Sequence, residues 1–155
     1  MAEINDYASV LNGLIETCKD GEQGFKQAAD KVKDPSLKSL FTKYASQRAG
    51  YVTELQSAVR ALGKDAAESG HVSATLHRGW MSIKEAVTSD DHAIINEAEA
   101  GEDVAMKNYK EALEKPLSAD LKSLIQRQYS GVQEAHGTVR NLKHSGATSV
   151  TNARA

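Results

Sequence analysis

The sequence predicts an all-α protein built as a four-helix bundle, and three observations predict it. Long stretches repeat apolar side chains at helical spacing. The only two prolines, Pro35 and Pro116, fall between such stretches, where proline ends a helix at little cost. One long stretch of weaker pattern separates the first pair of helices from the second. At 155 residues the chain has the length of a single domain and buries one continuous core.

The elements follow in order. In the first, Ile4, Leu11, Cys18, Phe25 and Val32 recur every seven residues, flanked by Tyr7, Leu14 and Ala28 and by Ala8, Ile15 and Ala29. That is an amphipathic helix of about thirty residues, roughly 45 Å long. After Asp34-Pro35-Ser36, a second stripe carries Leu37, Phe41, Tyr44, Tyr51, Leu55, Ala58 and Leu62 and stops at Gly63, a helix terminus. The short connection makes these two antiparallel neighbours. From Lys64 to Ser89 a loop precedes a shorter amphipathic stretch with Leu76, Trp80, Ile83 and Val87, read as a crossover containing its own helix docked by Trp80. Ser89-Asp90 offers an N-cap for a third long helix with Ile95, Ala98, Ala105, Met106, Tyr109, Ala112 and Leu113 on its face. The chain turns again around Pro116 and Ser118, and a fourth helix carries Leu121, Leu124, Ile125, Val132, Ala135, Val139 and Leu142. The bundle therefore occupies residues 1–144, and residues 145–155, without apolar period, form a flexible C-terminal tail. Two antiparallel hairpins joined by one long crossover is the ferritin-like variety of four-helix bundle.

Composition excludes several functions. Lys and Arg total 19 against 21 for Asp and Glu, so the net charge of -2 lacks the positive field that nucleic-acid binding needs. One cysteine, Cys18, rules out an internal disulfide and multi-cysteine zinc sites and fits a reducing compartment. The opening Ala2-Glu3-Ile4-Asn5-Asp6 is no secretory signal, and no apolar run nears the ~20 residues of a membrane span. A soluble, cytoplasmic protein with no membrane partner is expected.

The informative residues are polar ones on apolar stripes. Glu22 lies seven residues after Ile15 and seven before Ala29; Glu102 lies midway between Ile95 and Tyr109; Glu99 lies between Ile95 and Met106. All three are expected to point inward, with Gln128 and His136 facing them from the fourth helix, Arg48 on the stripe of the second, and Glu54 at its edge. Glu16, flanked by Asn12, Lys19 and Asp20, belongs to a solvated face. Unpaired buried carboxylates cost several kcal/mol each, so something must neutralise them. One compensator is metal: iron or manganese held at a partial site by Glu22, Glu102 and His136, with Glu99 or Glu54 completing the set, as in di-metal carboxylate bundles. Another is a network of Arg48 and His136 with the carboxylates, aided by Tyr51, Tyr109, Tyr129 and Gln128. A third is protonation of one carboxyl group. The metal set is degenerate, because the second helix has no Glu-x-x-His and Gln133 stands where the fourth helix needs a carboxylate.

His77-Arg78-Gly79-Trp80, Ile83-Lys84, Ala93-Ile94-Ile95, Glu99-Ala100-Gly101-Glu102-Asp103, Tyr109, Ala112-Leu113, Gln128 and Gln133 to His136 carry a resemblance. Together with Glu54-Leu55-Gln56 and Leu62-Gly63 they make the chain similar to an uncharacterised bacterial family of ferritin-like four-helix-bundle proteins, catalogued as a domain of unknown function. The resemblance runs from about Asn5 to Leu142. It implies the fold, a bacterial cytoplasmic setting and kinship with stress-associated ferritin-like proteins, and no established activity. The expected function is a non-catalytic bundle, without a cofactor, that acts by association as a homodimer. The alternative is a metal-dependent oxidase or iron-handling protein.

Overall fold

The computed structural model describes the backbone of residues 2–66 and 90–154 and the side chains of residues 3–66 and 90–144. Among them are four helices, α1 (Ala2–Lys31), α2 (Pro35–Ala61), α3 (Asp91–Leu113) and α4 (Ala119–Arg154), and no strand. No helix of the described residues is long and apolar enough to cross a membrane. The crossover helix expected from the sequence, with Leu76, His77, Arg78, Gly79, Trp80, Ile83 and Val87, falls outside the described residues, as does His71.

Local chemistry sets the boundaries. Asp34 caps α2 by accepting the Ser36 amide at 2.8 Å, with Pro35 at the first helical position, where its missing N–H is not needed. At the other end Gly63 takes φ +77, and the amide of Lys64 returns to the Val59 carbonyl. Asp90 caps α3 by accepting the His92 amide. Its neighbour Asp91 accepts the amides of Lys33 and Asp34 at 2.8 and 3.0 Å, tying the α1–α2 turn to the start of α3. The chain thus leaves α2 at one end of the bundle and re-enters at α3 from the other, as a long crossover requires.

Each helix has two close neighbours. α1 packs on α2 and α3, and α4 on α3 and α2, so α2 and α3 face each other across the diagonal. The core falls into two apolar clusters. One gathers Leu11, Ile15, Cys18, Leu55, Val59, Tyr109 and Ile125. The other gathers Phe25, Val32, Phe41, Tyr44, Ile94, Ala98 and Val139. Along α2 the clusters meet between Ala45 and Val52, and along α3 between Ala98 and Ala105; Arg48 and Glu102 occupy those gaps.

Several expectations are corrected. In the second half of α2 Leu55 is buried as expected, but Val52 and Val59 take the other buried positions in place of Tyr51, Ala58 and Leu62, which sit at the edge of the core. A straight helix turns 3.6 residues at a time, so a seven-residue count drifts by ~20° per repeat. Asp20, read with Glu16, Asn12 and Lys19 as part of a solvated face, is buried at 3% exposure, as is Thr17 beside it at 5%, while the other three are partly buried. Thr17 accepts a hydrogen bond from Asn108 of α3, and a helix with two neighbours buries a wider arc than one stripe. Finally, α4 does not end near Ser145 but continues to Arg154. No proline interrupts it, and the one glycine beyond Ser145, Gly146, costs only about 1 kcal/mol in a helix already propagating.

Candidate functional site

At the level where the two clusters meet, Arg48 and Glu102 form a two-pronged ion pair across the bundle diagonal. Nη1 donates to Oε1 at 2.6 Å and Nη2 to Oε2 at 2.7 Å, and the side chains are 1% and 0% exposed. Charge-assisted bonds of this geometry are the strongest a carboxylate makes with protein. Burial alone would push the Arg48 pKa down, but the charge of Glu102 and its hydrogen bonds outweigh that and hold it above the ordinary arginine value. The guanidinium carbon also lies 5.4 Å from the centre of the Phe25 ring, within cation–π range. Gly21 of α1 makes the room: a Cβ there would stand 3.1 Å from Nη1.

A second polar chain runs beside the pair. The Tyr109 hydroxyl donates to Gln128 Oε1 at 2.7 Å, which leaves its oxygen to accept from the Cys18 thiol at 3.0 Å. Gln128 Nε2 donates in turn to Glu54 at 2.9 Å, and Glu54 also receives both terminal nitrogens of Arg127. Every link is satisfied, and the chain ends at the protein surface on an ion pair whose partners are 58% and 39% exposed. Burial would raise the Glu54 pKa, but the bonds from Gln128 and Arg127 win and lower it. Burial pushes the Tyr109 hydroxyl well above its ordinary value and the Cys18 thiol up to about 11. Cys18 is therefore expected to resist thiol-specific reagents at neutral pH in the native protein and to react at once in denaturant. Rapid native-state labelling, followed with a chromogenic disulfide, would contradict this.

The third feature is on the α3–α4 flank. His136 Nε2 lies 2.6 Å from Asp103 Oδ1 and 3.8 Å from Glu99 Oε2, while Glu99 Oε1 accepts from Lys143 at 2.9 Å. One ligand atom each from Glu99, Asp103 and His136 falls within 4.8 Å of the others. The hydrogen bond from Lys143 is the largest cause of a lowered Glu99 pKa. With the folded value below the unfolded ~4.3, this carboxylate stabilises the fold above that pH, and the contribution disappears as pH falls through the folded value. Glu99→Gln is expected to flatten the acid limb of a stability–pH curve by about 0.2–1 kcal/mol, the worth of a pair with a half-exposed lysine. Identical acid limbs for variant and parent would refute it.

The five residues expected at a metal site thus divide among four places. Glu102 is in the interior, as expected, with both oxygens taken by Arg48. Glu22 is not: it stands at the rim, 25% exposed, paired with Lys26 at 3.0 Å, because the buried positions of that turn are Gly21, Gly24 and Phe25. Glu54 lines the edge of α2 with Arg127. Glu99 and His136 come together, each 13% exposed, but on the flank rather than in the interior. Of the expected network, the Arg48–Glu102 and Tyr109–Gln128 links exist, and His136 takes Asp103 instead of joining them. Asp103 was missed; its spacing of one turn from Glu99 on the same helix face was the available signal. The donors around Glu102 do not fit a two-metal carboxylate centre. Its nearest polar company is an arginine, and Cys18, Tyr109 and Gln128 spend their bonds on one another.

Among the solved structures that share the fold are three that match nearly all of this chain. A two-domain protein from Anabaena variabilis, with DJ-1/ThiJ/PfpI-like and ferritin-like domains, matches 92% of this chain at 17% identity and TM-score 0.73. This chain spans about 40% of the length of that protein. A Dps1 mutant from Mycobacterium smegmatis matches 92% of this chain and 97% of its own at 14% identity, TM-score 0.76. The dodecameric thioferritin of Bacteroides fragilis, a bacterioferritin-related protein, matches 96% and 90% at 10% identity, TM-score 0.78. No curated protein matches the chain. The fold is therefore the ferritin-like four-helix bundle. Residues 6–115 match the family model described as a domain of unknown function, DUF2383, which covers most of the chain, and the protein belongs to that family.

Proposed function

We propose that the protein is a non-catalytic ferritin-like bundle that works by association with copies of itself, its interior neutralised by its own arginine. The observation that carries this is the buried Arg48–Glu102 pair, which supplies inside the bundle the positive charge that a metal would otherwise bring. A carboxylate with both oxygens held by a guanidinium is already neutralised and fixed in place, so a metal would have to displace two charge-assisted bonds to use it. Self-association is supported by the Bacteroides fragilis relative, which is described as dodecameric. A two-fold dimer is the simplest closed assembly for such a chain. A bacterial cytoplasmic setting belongs to the same proposal and agrees with the buried free thiol of Cys18.

Light scattering after size-exclusion chromatography tests the association. The expected mass is an integral multiple of 16.7 kDa, and a strict monomer at high concentration would reject it. The rival, a metal-dependent oxidase or iron-handling protein using Glu102, predicts aerobic Fe(II) oxidation that falls with Glu102→Gln. The expected result is no oxidation that depends on Glu102; a loss on substitution in a variant that stays folded would favour the rival.

A further inference from the structure

We propose that Glu99, Asp103 and His136 form a mononuclear site for a divalent transition metal on the α3–α4 flank, separate from the bundle interior. The geometry is that of a three-ligand site. Glu99 and Asp103 are one turn apart on α3, so their carboxylates lie on one face, and His136 reaches across from α4. Ligand atoms bound to one tetrahedral ion at ~2.0–2.1 Å stand roughly 3.3–3.4 Å apart. The present separations of His136 Nε2, 2.6 Å to Asp103 and 3.8 Å to Glu99, bracket that spacing. Reaching it requires Asp103 to retreat by under an ångström, and its side chain is 58% exposed and free to do so. Glu99 and His136, each 13% exposed, are held by their helices and need little rearrangement.

The donor set also selects the ion. One imidazole and two carboxylates suit Zn²⁺, Co²⁺, Fe²⁺ or Mn²⁺; the nitrogen donor disfavours Mg²⁺ and Ca²⁺, and without a thiolate the set is unsuited to Cu(I). Water completes the coordination from the solvent side. Two cations oppose binding: Lys143 holds the second oxygen of Glu99 at 2.9 Å, and Arg140 adds its field. They make the site one of moderate affinity and give the proposal a signature. A His–Asp bond and a Lys–Glu pair that merely staple α3 to α4 would bind no metal, and removing Lys143 would create no site. In a genuine site, removing Lys143 frees an oxygen of Glu99 and tightens binding.

The test uses the full chain. Co²⁺ is titrated while its visible d–d absorption is recorded, and Zn²⁺ is titrated by calorimetry, on the parent protein, His136→Ala, Asp103→Asn and Lys143→Met. The expected result is saturable binding of one ion per chain that is abolished in His136→Ala and weakened at least about tenfold in Asp103→Asn. Lys143→Met is expected to bind several-fold more tightly. Asp103→Asn keeps a hydrogen-bond acceptor for His136 and lies at an exposed position, so its loss of affinity is not a folding defect. No saturable binding in the parent, binding that survives in His136→Ala, or Lys143→Met binding no tighter than the parent overturns the proposal.

Discussion

Arg48→Met is expected to destabilise the bundle by about 3–5 kcal/mol, the cost of leaving one member of a buried pair without its partner. Glu102 has no exposed surface, and its two oxygens have no other donor of comparable strength within the polar chain beside them. Methionine replaces the aliphatic stem and part of the volume, so the loss reports charge and hydrogen bonding more than packing. Urea unfolding followed by circular dichroism at helix wavelengths measures it, and a change under about 1 kcal/mol would place the pair among interactions of little consequence. A bundle of this size has a total stability on the order of 5–15 kcal/mol, so the variant approaches the limit of folding.

The second large effect is expected at Phe25. Its ring is fully buried, 5.8 Å from Phe41 and 5.3 Å from Tyr44, and its face is turned toward the Arg48 guanidinium. Phe25→Ala is expected to cost about 3–5 kcal/mol through lost burial and the cavity left behind. Phe25→Leu refills most of that volume with an apolar side chain but removes the aromatic face, and is expected to cost a minor fraction of it. Because Phe25 touches Arg48, the effects of Phe25→Ala and Arg48→Met are expected to be non-additive by about 0.5 kcal/mol or more. Equal losses for the alanine and leucine variants would mean that the ring's face, not its volume, holds the cluster together.

Much of this fold was legible because its causes are local. Pro35 and Gly63 act through their own backbone and Asp90 through a side-chain bond to the amide two residues on, and each marks the boundary its chemistry dictates. Glu102, Arg48 and Gln128 were legible as inward-facing polar groups because they interrupt apolar stripes on the side buried against two neighbours. Glu22 looked equivalent to Glu102 by counting seven residues from Ile15, but the series that stays buried along α1 runs through Leu14, Gly21 and Ala28, and Glu22 beside it turns outward to Lys26. A long side chain at the edge of a stripe can always carry its charge to water, and periodicity does not see that. Asp20 failed in the opposite direction, since its cover depends on tertiary packing and not on its own helix. The pairing of His136 with Asp103, rather than with the interior, depends on how α3 and α4 are rotated against each other. A single sequence does not specify that rotation, whereas the family resemblance carried the fold without carrying the site.

The measurement that bears most directly on an interior neutralised by arginine is a double-mutant cycle on Arg48→Met and Glu102→Leu, read by urea unfolding. Each single variant strands one buried charge and is expected to lose about 3–5 kcal/mol, while the double variant strands none and is expected to recover most of that loss. A double variant that loses the full sum of the two singles would contradict the account, because the two side chains would then act independently and Glu102 would owe its neutralisation to something other than Arg48.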